Sequence, residues 1–235
     1  MKNNFTILST KILKPYIKDQ LTGNDFNVVE HDFIKIENAV AFGAKDIFST
    51  CLPNYIFTSK NAVKAFANII AAHKIKVDKK SNFFALSGET QQALVDEGYK
   101  VTITKDNATA LANEIISTSK EKQFVFFCGE NRREELPNAI NNAGLKFTEI
   151  VMYKTILQTK KIEVAYQAIL FFSPSAIKSF FAENVLAKSV QCFCIGYTTA
   201  NALKEYKLNN KVAVISYPSQ QVMIDEVLNY FNIKN

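Results

Sequence analysis

Cys194-Ile195-Gly196-Tyr197-Thr198-Thr199-Ala200-Asn201-Ala202-Leu203 reads as the end of a buried strand, a glycine turn and the first turn of a helix that starts near Thr198. In a parallel α/β sheet such a junction lies at the carboxyl edge, where ligands bind. The unpaired N–H groups of a first helical turn favour an anion there. A partial double of this unit lies upstream, so the junction is one of a set.

The doubling is visible in two matches that occur in the same order. Phe57-Thr58-Ser59-Lys60-Asn61-Ala62-Val63-Lys64-Ala65-Phe66 parallels Phe171-Phe172-Ser173-Pro174-Ser175-Ala176-Ile177-Lys178-Ser179-Phe180 in strand end, serine, helix start and apolar spacing. Further on in each copy, Gly88-Glu89-Thr90 echoes Gly196-Tyr197-Thr198. Repetition at this scale points to a duplicated fold, although similar packing needs account for part of the likeness.

Outward from these units, strands and helices alternate. Strands are expected at Phe5–Ser9 and Phe26–Val29 with a helix at Lys14–Leu21 between them, and an extended run from His31 to Ile36 leads away without a turn signal. Strand and helix then alternate from Tyr55 to Asn142, Gly144 ends the last of these helices, and Lys146–Ile156 is a long extended run. The alternation resumes from Ala168 to Phe231. The expected class is α/β: two similar parallel-sheet domains with flavodoxin-like layering, joined by a two-strand linker. Residues 1–33 and 157–235 form a discontinuous domain, 37–153 an inserted one, and 34–36 with 154–156 the connecting strands.

Composition narrows the function classes. The chain has 235 residues, 48% of them apolar and 21% charged, and a net charge of +6, which suits an ordered protein with an anionic ligand. Its lysines are scattered, with no basic run longer than Lys79-Lys80 or Lys160-Lys161, so nucleic acid is not expected. Cys51, Cys128, Cys192 and Cys194 form no CxxC pair, and His31 and His73 are the only histidines, too few for a histidine-based metal site or a Ser/His/Asp triad. Cys192 and Cys194 point the same way along a strand, but buried thiols are the plainer reading, and no metal is expected. Met1-Lys2-Asn3-Asn4 opens no long apolar stretch, and nothing later is long enough to cross a bilayer. A reducing cytoplasm, no membrane and a monomer are the expectations.

Candidate chemistry sits at the junctions. Thr58 and Ser59, Thr90, Ser173 and Ser175, and Thr198 and Thr199 each stand where a helix begins, and each is either a helix cap worth ~1 kcal/mol or a ligand. Collectively they would line the carboxyl edges of two sheets, and two such edges across a hinge would make a donor-rich cleft. Arg132 and Arg133, the only arginines, follow another strand end. There a guanidinium either grips a substrate carboxylate or pairs with a nearby glutamate. Tyr153 lies in the returning strand, where its ring packs unless the phenol faces inward.

Several stretches together resemble the uroporphyrinogen-III synthase family. Phe57-Thr58-Ser59 with Asn61-Ala62-Val63 is similar to one family segment, and Cys128-Gly129 with Arg132, Arg133, Leu136 and Pro137 to a second. The likeness continues through Val151-Met152-Tyr153-Lys154-Thr155, Phe172-Ser173-Pro174-Ser175-Ala176, Ile195-Gly196-Tyr197-Thr198-Thr199-Ala200 and Pro218-Ser219. Two positions depart from the pattern: Lys11 follows Ser9-Thr10 where members often carry arginine, and Gly88-Glu89-Thr90-Gln91-Gln92 has glutamine at an expected threonine.

The resemblance implies cyclisation of hydroxymethylbilane, a linear tetrapyrrole polycarboxylate, with loss of water and inversion of ring D, and it implies no cofactor. It also implies Tyr153 as donor to the departing hydroxyl. Implied substrate contacts are Lys11, Thr58, Ser59, Lys60, Gly88, Thr90, Gly129, Arg132, Ser173, Pro174, Ser175, Gly196, Thr198 and Thr199. The rival reading is a non-catalytic two-lobed module that binds a small polyanion, since fold alone does not settle function.

Overall fold

Runs of consecutive apolar residues such as Tyr55-Ile56-Phe57 and Phe124-Val125-Phe126-Phe127 suit strands covered on both faces, the environment of a parallel sheet between helices. A computed structural model describes residues 5–39, 54–78, 80–118, 123–217 and 219–231. Met1–Asn4, Cys51, Lys79 and Pro218 lie outside these.

The chain starts with β1 (Thr6–Ser9), α1 (Pro15–Gly23), β2 (Asn27–Glu30) and β3 (Ile34–Asn38). It continues with β4 (Asn54–Phe57), α2 (Lys60–His73), β5 (Asn82–Leu86), α3 (Glu89–Asp96), β6 (Val101–Lys105), α4 (Ala108–Thr118), β7 (Gln123–Gly129), α5 (Glu135–Asn142) and β8 (Lys146–Leu157). It ends with β9 (Ala168–Phe171), α6 (Pro174–Phe181), β10 (Gln191–Ile195), α7 (Gly196–Lys204), β11 (Val212–Ile215) and α8 (Gln220–Tyr230).

Two compact units result, Met1–Lys35 with Ile156–Asn235, and Ile36–Thr155. The first holds a five-stranded sheet in the order β11-β10-β9-β1-β2, with every neighbouring pair parallel. In chain order this is the 2-1-3-4-5 arrangement of flavodoxin-like folds. The second sheet runs β3-β8-β7-β4-β5-β6, and β8 through β6 pair in parallel.

The two sheets visit the same positions from different starting points. β9-α6-β10-α7-β11 corresponds to β4-α2-β5-α3-β6, and β1-α1-β2 corresponds to β7-α5-β8. The sequence echo is therefore an echo of sheet position. Helix starts repeat with it: Ser59 caps α2 by accepting from the Asn61 N–H, and Ser173 caps α6 by accepting from the Ala176 N–H.

Alternation along the central strands makes a core on each face of each sheet. Ile7, Leu170 and Phe193 pack with α1 and α8, while Leu8, Ile169, Phe171, Cys192 and Cys194 pack with α6 and α7. In the second unit Tyr55, Phe57, Phe83 and Phe127 meet Phe66 of α2, and Ile56, Phe84, Phe124 and Phe126 meet α4 and α5. Phe127 stacks on Phe57 at 5.1 Å and meets Phe66 at 4.9 Å between ring centroids. Rings so arranged add to the transfer free energy of burial. Phe127→Ala is expected to destabilise the protein by about 3–5 kcal/mol in chemical denaturation, because it leaves a cavity among aromatic neighbours that cannot collapse.

The thiols of Cys128, Cys192 and Cys194 are buried. Burial pushes Cys192 and Cys194 up to about 12 and Cys128 up to about 11, the last also through Glu149 nearby. At pH 8 almost none of each is thiolate, the reactive form. In a Cys51→Ser protein, a thiol reagent at pH 8 is expected to label no cysteine until denaturant is added.

Candidate active site

In open parallel sheets ligands bind beyond the carboxyl ends of the strands, at the point where the strand order reverses direction. In the second unit that point lies between β4 and β7, and in the first between β1 and β9. The residues that follow those strands are therefore placed to meet a ligand.

Beyond β4 and β7 three of the expected residues converge. The phenol oxygen of Tyr153, on β8, lies 2.9 Å from the Ser59 Oγ. Its ring crosses Gly129 so closely that a Cβ there would meet ring and hydroxyl atoms at 2.5–2.8 Å. The Tyr153 carbonyl accepts from the Glu130 N–H at 3.0 Å, holding the same stretch of strand.

A shift in pairing produces this convergence. Between β7 and β8, Cys128 pairs with Val151 but Gly129 pairs with Tyr153, so Met152 is skipped. Ile150 and Met152 face the α2 side of the sheet, and strict alternation would send Tyr153 to the opposite face. The irregularity re-aims it, as bulges do, and Tyr153 packs against the same cluster as Met152. The glycine then accommodates the ring, where any side chain would collide.

Cations around this edge are engaged by carboxylates. The Arg132 Nε and Nη2 hold the two oxygens of Glu149, and its Nη1 donates to Glu134 at 2.6 Å. Those hydrogen bonds, Glu149 first, hold the guanidinium pKa above its ordinary range. Arg132 pairs with glutamates, and the main partner comes from the neighbouring strand. Lys60 pairs with Glu89 at 2.7 Å, and Arg133 lies 4.0 Å from Glu135.

Beyond β1 and β9 the chain is stitched by hydroxyls. The Thr10 Oγ1 donates to the Leu170 carbonyl at 2.8 Å and accepts from the Phe172 N–H at 3.3 Å. Lys11 is exposed on the loop that follows. The next two N–H groups are taken: Ile12 donates to Asp32 and Leu13 to Glu30, each at 2.8 Å. Ser173 and Ser175 are half-buried at the start of α6, and Pro174 occupies its first turn, where a missing N–H costs nothing.

The threonine junctions differ from the sequence reading. α7 begins at Gly196, two residues before the expected Thr198, and no side chain caps it. α3 likewise begins beside Gly88 with no side-chain cap. Gly88 and Gly196 have φ of +77° and +80°, conformations suited to glycine. Thr90, Thr198 and Thr199 are thus inside their helices and do not cap them. Thr90 and Thr199 are largely buried, at 7% and 2% exposure. Thr198 is exposed, and Thr58 is half-buried after β4.

Sequence reasoning missed Glu149 as the main partner of Arg132, and no local signal announces it, since it enters by strand pairing from 17 residues away. It also missed that Gly129 seats the tyrosine ring. A glycine directly after a wholly apolar strand was the available clue.

The comparisons with known proteins agree with one another. A family model described as uroporphyrinogen-III synthase HemD matches residues 17–224. A curated relative, "Porphyrin biosynthesis protein HemD" from Ruminiclostridium josui, is 25% identical over 188 residues, which are 74% of this chain and 37% of that protein. The chain thus spans little more than a third of that relative's length. Among solved structures, uroporphyrinogen-III synthetase from Helicobacter pylori superposes with a TM-score of 0.71 at 18% identity, over 97% of this chain and 99% of that one. A mutant uroporphyrinogen III synthase from the extremely thermophilic bacterium Thermus thermophilus gives 0.73 at 13% identity, over 98% and 100%. At such identities the structural likeness is one of fold, and it is the family match across most of the sequence that decides membership: the chain belongs to the uroporphyrinogen-III synthase family.

Proposed function

We propose that this chain is a cyclising hydro-lyase that closes hydroxymethylbilane to uroporphyrinogen III, with loss of water and inversion of ring D. Family membership supports the substrate and the reaction class. The observation that carries the reading in this molecule is the phenol of Tyr153, held across Gly129 at the carboxyl end of the second unit's sheet. No observation favours the non-catalytic binding module.

The reaction asks for a proton donor to the departing hydroxyl and for a surface that fixes the terminal pyrrole. Because the bilane also closes unaided to the uninverted isomer, orientation is the main demand. A neutral phenol meets the first need without adding negative charge beside a polycarboxylate. Thr58, Ser173, Ser175 and Thr198 are the accessible hydroxyls proposed for the substrate, with Lys11 as a cation and the first-turn N–H groups of α3 and α7 as main-chain donors. Arg132, tied to Glu134 and Glu149, and the largely buried Thr90 and Thr199 are secondary candidates for the same role.

The test is freshly made hydroxymethylbilane with the type I and type III products resolved. Type III product above the spontaneous background is expected, and type I alone at the spontaneous rate would overturn the reading. Tyr153→Phe is expected to lower kcat roughly 100-fold or more, in keeping with loss of a general acid. Gly129→Ala, which keeps the phenol but evicts it from its seat, is expected to reduce kcat comparably. Its melting temperature should stay closer to the parent's than that of a core variant, since the displaced ring can swing outward.

A further inference from the structure

The hydroxyl of Ser59 stands between a helix start and the phenol of Tyr153. Its oxygen accepts from the Asn61 N–H at 3.1 Å, so one lone pair is committed to α2. Its remaining short contact is the Tyr153 oxygen at 2.9 Å, where either atom can be the donor. If tyrosine donates, its proton points into the protein and is lost to the substrate. If serine donates, the tyrosine proton is turned outward.

We propose that Ser59 is a positioning residue that donates its hydroxyl proton to the Tyr153 oxygen, so that the phenol presents its own proton to the departing hydroxyl. The inference rests on the function proposed above. It replaces the substrate contact expected of Ser59 from the sequence. The helix start strengthens the arrangement: an N–H of the first turn of α2 polarises the serine oxygen, and this makes its hydroxyl a better donor. As the substrate C–O bond breaks, the phenol proton leaves with the hydroxyl as water. The phenolate left behind retains the hydrogen bond from Ser59. It regains a proton from the one that the terminal pyrrole sheds on closing the ring, so the cycle is balanced.

A merely structural serine would act through the cap of α2, and substitutions separate the two roles. Aspartate caps a helix as well as serine does, but an ionised carboxylate accepts only and cannot donate to the phenol. Threonine retains both functions. Ser59→Thr is therefore expected to keep most of the parent kcat. Ser59→Ala and Ser59→Asp are expected to lose roughly ten- to a hundredfold in kcat with KM within about twofold, the loss expected of one hydrogen bond to a developing charge. Ser59→Asp should melt with the parent and Ser59→Ala below it. Parent-like kcat in Ser59→Asp, or a raised KM with unchanged kcat, would overturn the proposal, the second by making Ser59 a substrate ligand.

A second readout needs no turnover. The tyrosine Raman doublet of Tyr153, isolated by subtracting the Tyr153→Phe spectrum, reports whether the phenol oxygen accepts a hydrogen bond. An acceptor signature in the parent that disappears in Ser59→Ala is expected. A signature unchanged by Ser59→Ala removes the donation by serine, whereas failure of the parent to form type III product removes the proposed function.

Discussion

Parallel pairing of fully buried strands is the constraint on which the remaining structure depends. A parallel neighbour cannot be reached by a tight turn, so each strand is followed by a crossover, usually a helix. Every strand-to-helix junction of a sheet therefore opens on one edge. In each unit this gathers glycines and hydroxyls that are distant in sequence: Ser59 and Gly129 in one, Thr10 and Ser173 in the other. The apolar cores on both faces hold those edges in place, and the aromatic stack of Phe57, Phe66 and Phe127 belongs to the same cluster that Tyr153 packs against.

The chemistry proposed for the second unit's edge would rely on neutral groups. Its nearby cations, Arg132 and Lys60, are tied to Glu149, Glu134 and Glu89, so they tie the loop after β7 to β8 and the start of α2 to that of α3. A guanidinium gripped by both oxygens of one carboxylate and by a second carboxylate has little left to offer a ligand. The phenol and serine carry no such partner charge, and in the proposed arrangement their hydrogen bond would set a direction for a proton. For the proposed reaction, whose difficulty would lie in geometry, a neutral donor seated over a glycine would suit the task better than a mobile charge.

Much of the fold was legible in the chain. Periodic apolar runs located nearly every described strand and helix, and Ser59 and Ser173 cap their helices as their spacing suggested. The exception was α7, where Gly196 itself enters the helix and moves the threonines inward. A left-handed φ immediately before or at the first helical residue lets the helix begin without a side-chain cap, and sequence pattern does not distinguish that start from a capped one two residues later. The difference bears on the candidate site, because it sets Thr199, at 2% exposure, within the helix and not at its cap.

By itself the sequence determined the layered α/β class, the internal doubling, the buried cysteines and the family, since all of these follow from local periodicity and from the order of short motifs. Only the tertiary structure decided which way Tyr153 points and who holds Arg132. Both depend on the pairing of β7 with β8, where one skipped residue exchanges the faces of the strand. Such a slip leaves no trace in composition or period, because it arises from contacts between segments that the chain places far apart.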